Sequence, residues 1–444
     1  MDTLSLTPAS AHLVTQLVKC VSTIESAGPK QVEDWETVQA RRQAEDILNE
    51  LQRLVIPLSK RLRYAAAGIF ENQALYLAVN LGIAQALVDA GPDGADVDTL
   101  ASCTGTVADS LERILRVLQA SDVAVLHENR WSAGEAALSL CPNHARSAAA
   151  GMDFYGNEIY TAVGFLGHQV APDRAWPVRQ ASAASSPSPT SSVHTTQATQ
   201  ACLTGLGSPS LYAHLAANAD RQTVFTKAMA SWTLGDDEYL AADYPWEIHA
   251  GQRLCDVGGA DGNFFKHLLA KHPSIAGGTI YDISVSSRPA GAPEALTYTQ
   301  GNFLETVPAG HQVYFMRHIV HNWDGAHVRR ILGNIRQAMA ESLATENSTH
   351  GNDHGKSGGG PVLLIAEAVV TDKVQREVAV LDLVMLTILP GAKERTVEEY
   401  STLCRAEGLC ITRVWPTRGK HSILEVRLDP EAKMKLEAHL EPEA

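Results

Sequence analysis

The sequence has no Cys-x-x-Cys pair and no stretch of about 20 apolar residues that could cross a bilayer. Its 7 cysteines are scattered, which indicates neither a disulfide framework nor a zinc site, and a reducing compartment fits best. The N-terminus lacks a basic region followed by an apolar core, so no signal peptide is expected. These absences predict a cytoplasmic protein with no membrane segment and no metal site.

Positive charge is also scarce. The 36 lysines and arginines stand against 50 aspartates and glutamates, which gives a formal net charge of −14. Nucleic acids bind to basic protein faces, so a nucleic-acid partner is not expected. With 444 residues, 45% of them hydrophobic, the chain has room for two or three domains and a substantial core.

The stretch Leu254–Gly262 runs from a short apolar segment into glycines, and an apolar pattern at helical spacing follows it. This order of strand, turn and helix is typical of nucleotide-type sites, where bare backbone approaches a ligand closely. No Gly-Lys-Ser/Thr follows the turn, which argues against an NTPase. Asp256 would repel a pyrophosphate but suits a cationic ligand, and Asp282 ends the next apolar run at a spacing that suits a ribose. Together the two acids favour S-adenosylmethionine over NAD.

Three motifs carry a resemblance to a known family: Asp256–Gly262, Arg317–Asp324 and Gly391–Thr396. Their order, spacing and identities resemble those of the plant- and fungal-type (caffeate-type) small-molecule O-methyltransferases, over roughly residues 60 to 428. The resemblance implies an α/β fold, with a Rossmann-like class I methyltransferase domain after an all-helical and winged-helix dimerisation domain. It also implies S-adenosyl-L-methionine as the cofactor and a hydroxyl of a small aromatic or polyketide-type secondary metabolite as the acceptor.

The pattern along the chain predicts five segments. Residues 1–60 form a helical extension, and residues 61–150 form a winged-helix-like dimerisation domain. Residues 151–235 form a helical, pocket-lining linker, interrupted at 180–200 by a disordered insert rich in Ser, Thr, Ala and Pro. Residues 236–428 form the cofactor domain with a flexible insert at 345–360, and residues 429–444 form a tail. Strands are expected at Leu254–Val257, Thr279–Asp282, Leu296–Gln300, Val313–Met316, Val362–Glu367 and His421–Val426.

Methyl transfer to a phenol benefits from a base, because a phenol with a pKa of about 10 is a poor nucleophile at neutral pH. His321 is the predicted base, since it follows a strand at the edge where open α/β sheets bind their ligands. Among 17 histidines a structural role is the commoner one, and the resemblance of the motif around His321 favours catalysis. The resemblance also brackets this histidine with Glu367 and Glu394, which would orient its ring. For Glu394, an ordinary ion pair with Arg395 is left open.

The resemblance implies the other site residues. Gly258 and Gly259 would let the backbone approach the methionine portion of the cofactor, and Asp282 would bind the ribose hydroxyls. Three residues depart from the family pattern: Ala260 replaces a glycine, and Asn302 and Asn322 each replace an aspartate. The cofactor set is Asp256, Gly258, Gly259, Asp282, Asn302, Phe303 and Arg317, and the acceptor set is Phe225, Met229 and Met385.

Two other functions are left open. Some fungal members of this scaffold are thought to be pericyclases that bind the cofactor without transferring its methyl group. Arg317 and His318 beside the pocket, together with Asn302 and Asn322, leave that hypothesis open. A non-enzymatic regulator that uses the winged helix on DNA would need a basic face, which is missing. The predicted partners are therefore a small aromatic molecule and a second copy of the chain, in a homodimer. The sequence does not specify the acceptor or the position that is methylated.

Overall fold

The computed structural model describes residues 8–28, 33–171, 205–208, 210–233, 236–285, 287–349, 360–372, 375–389 and 391–430. The insert expected at 180–200 lies outside these ranges, as do residues 350–359 of the second insert and nearly all of the tail. The chain divides into two compact units. No helix of the described residues is long and apolar enough to cross a membrane.

The first unit consists of Met1–Asn157 and Thr223–Trp232 and is mainly helical. Its helices are α1 (Pro8–Ala27), α2 (Trp35–Val55), α3 (Leu58–Asn80), α4 (Ile83–Asp89), α5 (Val97–Thr104), α6 (Ala108–Gln119) and α7 (Ala149–Phe154). Asp34 caps α2 and Asp96 caps α5, because each side chain accepts a hydrogen bond from a backbone N–H of the first turn. Leu111, Leu115 and Leu118 share one face of α6 and are buried in the core of this unit.

A winged helix requires a two-stranded wing, and the structure contains one after α6. Strands β1 (Ala124–His127) and β2 (Arg130–Ala133) pair antiparallel. Glu128 and Asn129 connect them, with φ values of 47° and 66°. Positive φ at both central residues is what a type I′ turn requires, and this turn matches the twist of a two-stranded ribbon.

The second unit, Glu158–Gln222 with Thr233–Ala444, contains the large sheet. Its helices are α8 (Tyr160–Val163), α9 (Leu166–Val170), α10 (Leu211–Ala217), α11 (Ala219–Thr233, shared with the first unit), α12 (Asp236–Asp243), α13 (Asn263–Lys271), α14 (Gly325–Thr349), α15 (Arg376–Ile388) and α16 (Val397–Ala406). Its strands are β3 (Leu254–Val257), β4 (Gly278–Asp282), β5 (Leu296–Gln300), β6 (Val313–Arg317), β7 (Val362–Val370), β8 (Arg395–Thr396), β9 (Leu409–Pro416) and β10 (His421–Leu428).

The strand order is β5-β4-β3-β6-β7-β10-β9, and β8 pairs separately with β7. Strands β5 to β7 are parallel, whereas β10 runs antiparallel to both of its neighbours. All six predicted strands are present, and β8 and β9 are additional. Strand β7 continues to Val370, so the prediction that this strand ends at Glu367 is wrong. Pairing of β10 with β7 from His421 onward carries the strand past Glu367.

Successive residues of the central strands point to opposite faces of the sheet and pack into two different hydrophobic cores. Leu254 and Phe315 pack with α13 on one face, whereas Cys255 and Tyr314 pack with α14 on the other. The sheet is therefore covered on both faces, as in doubly wound α/β domains. Because β3, β4 and β6 are parallel neighbours, their carboxyl ends meet at one edge, where such sheets bind their ligands.

Candidate active site

The turn after β3 requires glycine at two positions. Gly258 has a φ of +81°, and a Cβ at this position would lie 2.5 Å from Cδ1 of Ile319. A Cβ on Gly259 would lie 2.5 Å from the carboxylate of Asp256. Ala260 adopts a φ of 49° despite its Cβ, so the departure from glycine is accommodated in the left-handed region.

Three carboxylates surround this turn. Asp256 is 4% exposed, and within the described residues no hydrogen bond to its carboxylate is found. Burial, followed by the negative charges of Asp282 and Asp261, raises the pKa of Asp256 to about 8. Asp282 accepts a hydrogen bond from the backbone N–H of Ala260 through Oδ2, at 3.0 Å. A glycine turn beside clustered, uncompensated acids fits a ligand that carries positive charge.

Asn302 and Phe303 follow β5 near the same turn. Asn302 accepts a hydrogen bond from the backbone N–H of Leu304 at 3.0 Å and donates one to Oε1 of Glu305 at 3.0 Å. An aspartate could accept the hydrogen bond from Leu304 but could not donate one to Glu305. These local contacts therefore favour asparagine at this position. The ring of Phe303 packs edge-on against Trp323, with centroids 6.0 Å apart.

Arg317 ends β6 and forms an ion pair with Asp237 at the start of α12. Its guanidinium also lies 5.1 Å from the ring centroid of Phe264. Burial lowers the pKa of Arg317 to about 10. Sequence reasoning missed Asp237, because the acids at the start of α12 indicate only a helix N-terminus.

His321 lies in a single 3₁₀ turn after β6 and is buried. Its Nδ1 is 2.7 Å from Oε1 of Glu394 and 3.5 Å from Oε2 of Glu367. The structure thus brings together the three residues predicted to be catalytic. A proton on Nδ1 that is donated to Glu394 leaves the lone pair on Nε2, which makes Nε2 the nitrogen able to accept a proton. The backbone N–H of Glu394 donates to Oδ1 of Asp382 at 2.8 Å, which fixes the segment that carries the carboxylate.

Glu367 holds the backbone of the same turn. Its Oε1 accepts from the backbone N–H groups of Ile319 and Val320 at 3.0 and 2.8 Å. Burial raises the pKa of Glu367 to about 7, with a further contribution from the charge of Glu394. For His321, burial alone would lower the pKa, but the charge of Glu367 and the hydrogen bond to Glu394 outweigh it and place the pKa above its ordinary value.

Arg395 also holds this turn, although it is distant from the turn in the sequence. Its guanidinium donates to the carbonyl oxygens of Val320 at 3.0 Å and Trp323 at 2.6 Å. Among the described residues no ion pair joins Arg395 to Glu394, so Glu394 is left to contact His321. No sequence signal indicated that Arg395 would bind backbone carbonyls about 70 residues away, because such contacts depend on tertiary packing.

The acceptor residues predicted from the resemblance lie in both units. Phe225 and Met229 lie four residues apart on α11, within the first unit. Phe225 packs edge-on against Phe154, with ring centroids 5.4 Å apart. Met385 lies on α15 in the second unit and is buried.

Residues 194–410 match the O-methyltransferase domain family. The chain therefore contains an O-methyltransferase domain. It is 27% identical over 371 residues to O-methyltransferase SfmM3 of Streptomyces lavendulae, and the match covers 80% of this chain and 95% of that protein. It is 28% identical over 386 residues to the phenazine O-methyltransferase PhzM of Lysobacter antibioticus, with coverage of 84% and 97%. Among solved structures, CalO1, a methyltransferase of calicheamicin biosynthesis with S-adenosylhomocysteine bound, has a TM-score of 0.63 at 26% identity and covers 83% of this chain and 97% of its own.

These similarities confirm the family, the class I methyltransferase fold, the enzyme class and S-adenosylmethionine as the cofactor. The relatives of this O-methyltransferase act on small secondary metabolites. The local structure fits the cofactor, because the turn at Gly258 and Gly259 has no room for a Cβ and Asp256 has no cationic partner among the described residues.

Proposed function

We propose that this O-methyltransferase methylates a phenolic hydroxyl of a small aromatic secondary metabolite, with His321 as the general base. The observation that carries the proposal is the 2.7 Å contact between Nδ1 of His321 and Oε1 of Glu394. A buried carboxylate on Nδ1 orients the ring and favours the tautomer whose Nε2 accepts a proton. A relative named as a phenazine O-methyltransferase supports an aromatic acceptor.

Each residue of the site has a distinct task in this proposal. Bound S-adenosylmethionine supplies an electrophilic methyl group. Asp256, the glycine turn and Asp282 hold the cofactor, with Asn302 and Phe303 beside them. Nε2 of His321 takes the proton of the acceptor hydroxyl, and the nearby carboxylates of Glu394 and Glu367 stabilise the imidazolium that forms. Glu367 also positions the turn through its backbone contacts.

Arg317 bears on the alternative, a pericyclase that binds the cofactor without methyl transfer. Such an enzyme could use Arg317 as a cation beside a polyene, but this side chain is paired with Asp237 and stacked on Phe264. Incubation with labelled cofactor and a panel of phenols separates the two functions. Formation of S-adenosylhomocysteine supports methyl transfer. Cyclisation of a polyene that needs the cofactor but yields no S-adenosylhomocysteine contradicts it.

Cofactor binding is expected to release a proton from Asp256. With a pKa of about 8, this carboxyl is mostly protonated at pH 7 in the free protein. The positive charge of the ligand favours the carboxylate, so affinity should rise with pH until about pH 8 and then level off. Calorimetry in two buffers with different ionisation enthalpies should show the release of close to one proton at pH 7.

Asp256→Asn is the matched control for this release, because it keeps the size of the side chain and cannot ionise. S-adenosylhomocysteine, which lacks the sulfonium charge but keeps the ammonium group, should also cause release if the ammonium is the group that Asp256 binds. Equal binding enthalpies in the two buffers for the parent protein would contradict the assignment of Asp256 to the cofactor site.

A homodimer is expected through the N-terminal helices. Leu54 on α2 and Leu58, Leu62 and Phe70 on α3 are each more than half exposed. Leu58 and Leu62 lie four residues apart on one face of α3, and neighbouring exposed apolar side chains of this kind are a feature of interaction sites. Sedimentation at micromolar concentration should give a dimer, and Leu62→Glu should shift it towards monomer. A monomeric parent protein would contradict the proposal.

A further inference from the structure

Two further histidines lie beside the proposed base. The ring centroid of His318 is 5.3 Å from that of His321 and 4.4 Å from that of His421. His318 adopts a φ of +54°, a left-handed conformation that is unfavourable for a residue with a side chain. Such a conformation persists only where the surrounding structure holds it, and here it keeps the His318 ring next to His321.

His318, His321 and Glu367 each offer one possible metal-ligand atom, and the three atoms lie within 4.8 Å of one another. Nε2 of His318 and Oε2 of Glu367 are both buried without a hydrogen-bond partner. A buried polar atom without a partner destabilises the fold unless something binds it. Two of the three residues in the cluster therefore have an atom that is free to bind a cation.

When both neighbouring carboxylates are ionised, the charges around His321 are also unbalanced. Glu367 and Glu394 are almost fully buried, and both contact the one imidazole. Even a protonated imidazole would balance only one of the two carboxylates. Arg395 donates its hydrogen bonds to backbone carbonyl oxygens and forms no ion pair with either of them. A dication would supply the missing positive charge.

We propose that His318, His321 and Glu367 form a binding site for a borderline transition-metal dication such as Zn²⁺, and that its occupation inhibits the enzyme. Two imidazoles and one carboxylate are a ligand set that Zn²⁺ takes in enzymes, with the fourth position left to water. Mg²⁺ and Ca²⁺ prefer oxygen ligands and should not bind.

The cluster needs only a small contraction to hold zinc. Ligand atoms in a tetrahedral site lie about 3.4 Å apart, because Zn–N and Zn–O distances are about 2.1 Å. Side-chain rotation of His318 and Glu367 can supply this movement, and it breaks no hydrogen bond at Nε2 or at Oε2, since neither atom has one.

Inhibition follows from the chemistry of imidazole. A neutral ring has one nitrogen lone pair for a proton or a metal, and its single proton is on the other nitrogen. Zinc on either nitrogen of His321 therefore leaves no nitrogen that can accept a proton. Zinc exchanges bound waters for the three ligand atoms, and any proton on those atoms passes to solvent. If zinc binds Nδ1 of His321, this bond replaces the hydrogen bond from Nδ1 to Glu394. This inhibitory effect rests on the proposed role of His321 as the base.

The site is tested by equilibrium dialysis of the tag-free, full-length protein against zinc chloride, with magnesium chloride as a second probe. We expect one zinc ion and no magnesium ion per chain. His318→Asn removes the imidazole but keeps a residue that tolerates the left-handed conformation. It should lower zinc affinity by at least about tenfold, since even the loss of an outer partner of a metal ligand has that effect. His327→Asn is the control, because His327 is exposed and pairs with Asp324.

Turnover is measured in parallel, each variant against its own zinc-free rate. Zinc should inhibit the parent and His327→Asn at concentrations that leave His318→Asn active. If His318→Asn fails to fold, dialysis of Glu367→Gln takes its place. Absence of zinc binding, or binding that persists in these variants, overturns the site and leaves the proposed function untouched. Zinc bound at the site with full turnover overturns the inhibition and contradicts His321 as the base.

Discussion

His321→Ala is expected to lower the turnover of phenol methylation by roughly 10²- to 10⁴-fold, the usual contribution of a general base. The variant removes the nitrogen that accepts the proton but leaves the glycine turn and Asp282, which lie on other strands. Affinity for S-adenosylmethionine should therefore match that of the parent. Initial rates of S-adenosylhomocysteine formation and calorimetry of cofactor binding measure the two quantities separately.

The pH dependence of the His321→Ala variant gives a second readout. Phenols ionise with a pKa of about 10, so the uncatalysed supply of phenolate rises with pH towards that value. Raising the pH should partly restore the rate of the variant. His327→Ala, which changes an exposed histidine, should behave like the parent at every pH. A His321→Ala variant with parental turnover would show that another group takes the proton.

Substitution of the two carboxylates should separate orientation from proton transfer. Glu394→Gln keeps the shape of the side chain but removes the charge that stabilises the imidazolium, so a smaller loss than for His321→Ala is expected. Glu367→Gln should also lose less, but with a lower melting temperature if the backbone contacts of its Oε1 weaken. A Glu394→Gln loss as large as that of His321→Ala would mean that the carboxylate itself has a direct catalytic role.

The glycine turn and the acids beside it could be predicted from the sequence because their signals are local. Strand β3 occurs at the residues predicted, Leu254–Val257, and a glycine turn follows it at Gly258. The acids at the ends of parallel strands β3 and β4 then meet because the topology places these strands side by side. A short-range sequence pattern and one rule of sheet architecture were enough to predict that the glycine turn and the two acids lie together.

Long-range contacts and the exposure of apolar side chains could not be predicted in the same way. Arg317 and its partner Asp237 are 80 residues apart, and neither residue type indicates the other. Strand β9 is half exposed at the edge of the sheet, so it lacks the continuous apolar run by which the buried strands were recognised. The sequence predicts a helical extension over residues 1–60 but not that Leu54 and Leu58 are exposed. Periodicity specifies an apolar face, and only tertiary structure specifies what covers it.

Asp282→Ala is expected to weaken cofactor binding by about 1.5–3 kcal/mol, the usual value for hydrogen bonds to a charged group. In the proposed site this carboxylate binds the ribose hydroxyls. The structure adds a second reason, because Oδ2 of Asp282 also accepts from the backbone N–H of Ala260 and so holds the glycine turn. Ser284→Ala is the matched control, since Ser284 contacts only Oδ1 of the same carboxylate and should have a small effect.

A cofactor analogue without ribose hydroxyls separates the two reasons. If the ribose contact dominates, Asp282→Ala should bind this analogue about as well as the parent does. If the turn dominates, the variant should bind both ligands more weakly by the same factor.

Proton release gives an independent check, because Asp282 is one of the charges that raise the pKa of Asp256. Removal of the Asp282 carboxylate should lower the pKa of Asp256, so the free variant holds less of this proton at pH 7. Cofactor binding should therefore release fewer protons from the variant than from the parent. Unchanged affinity together with unchanged proton release would place the cofactor away from this turn.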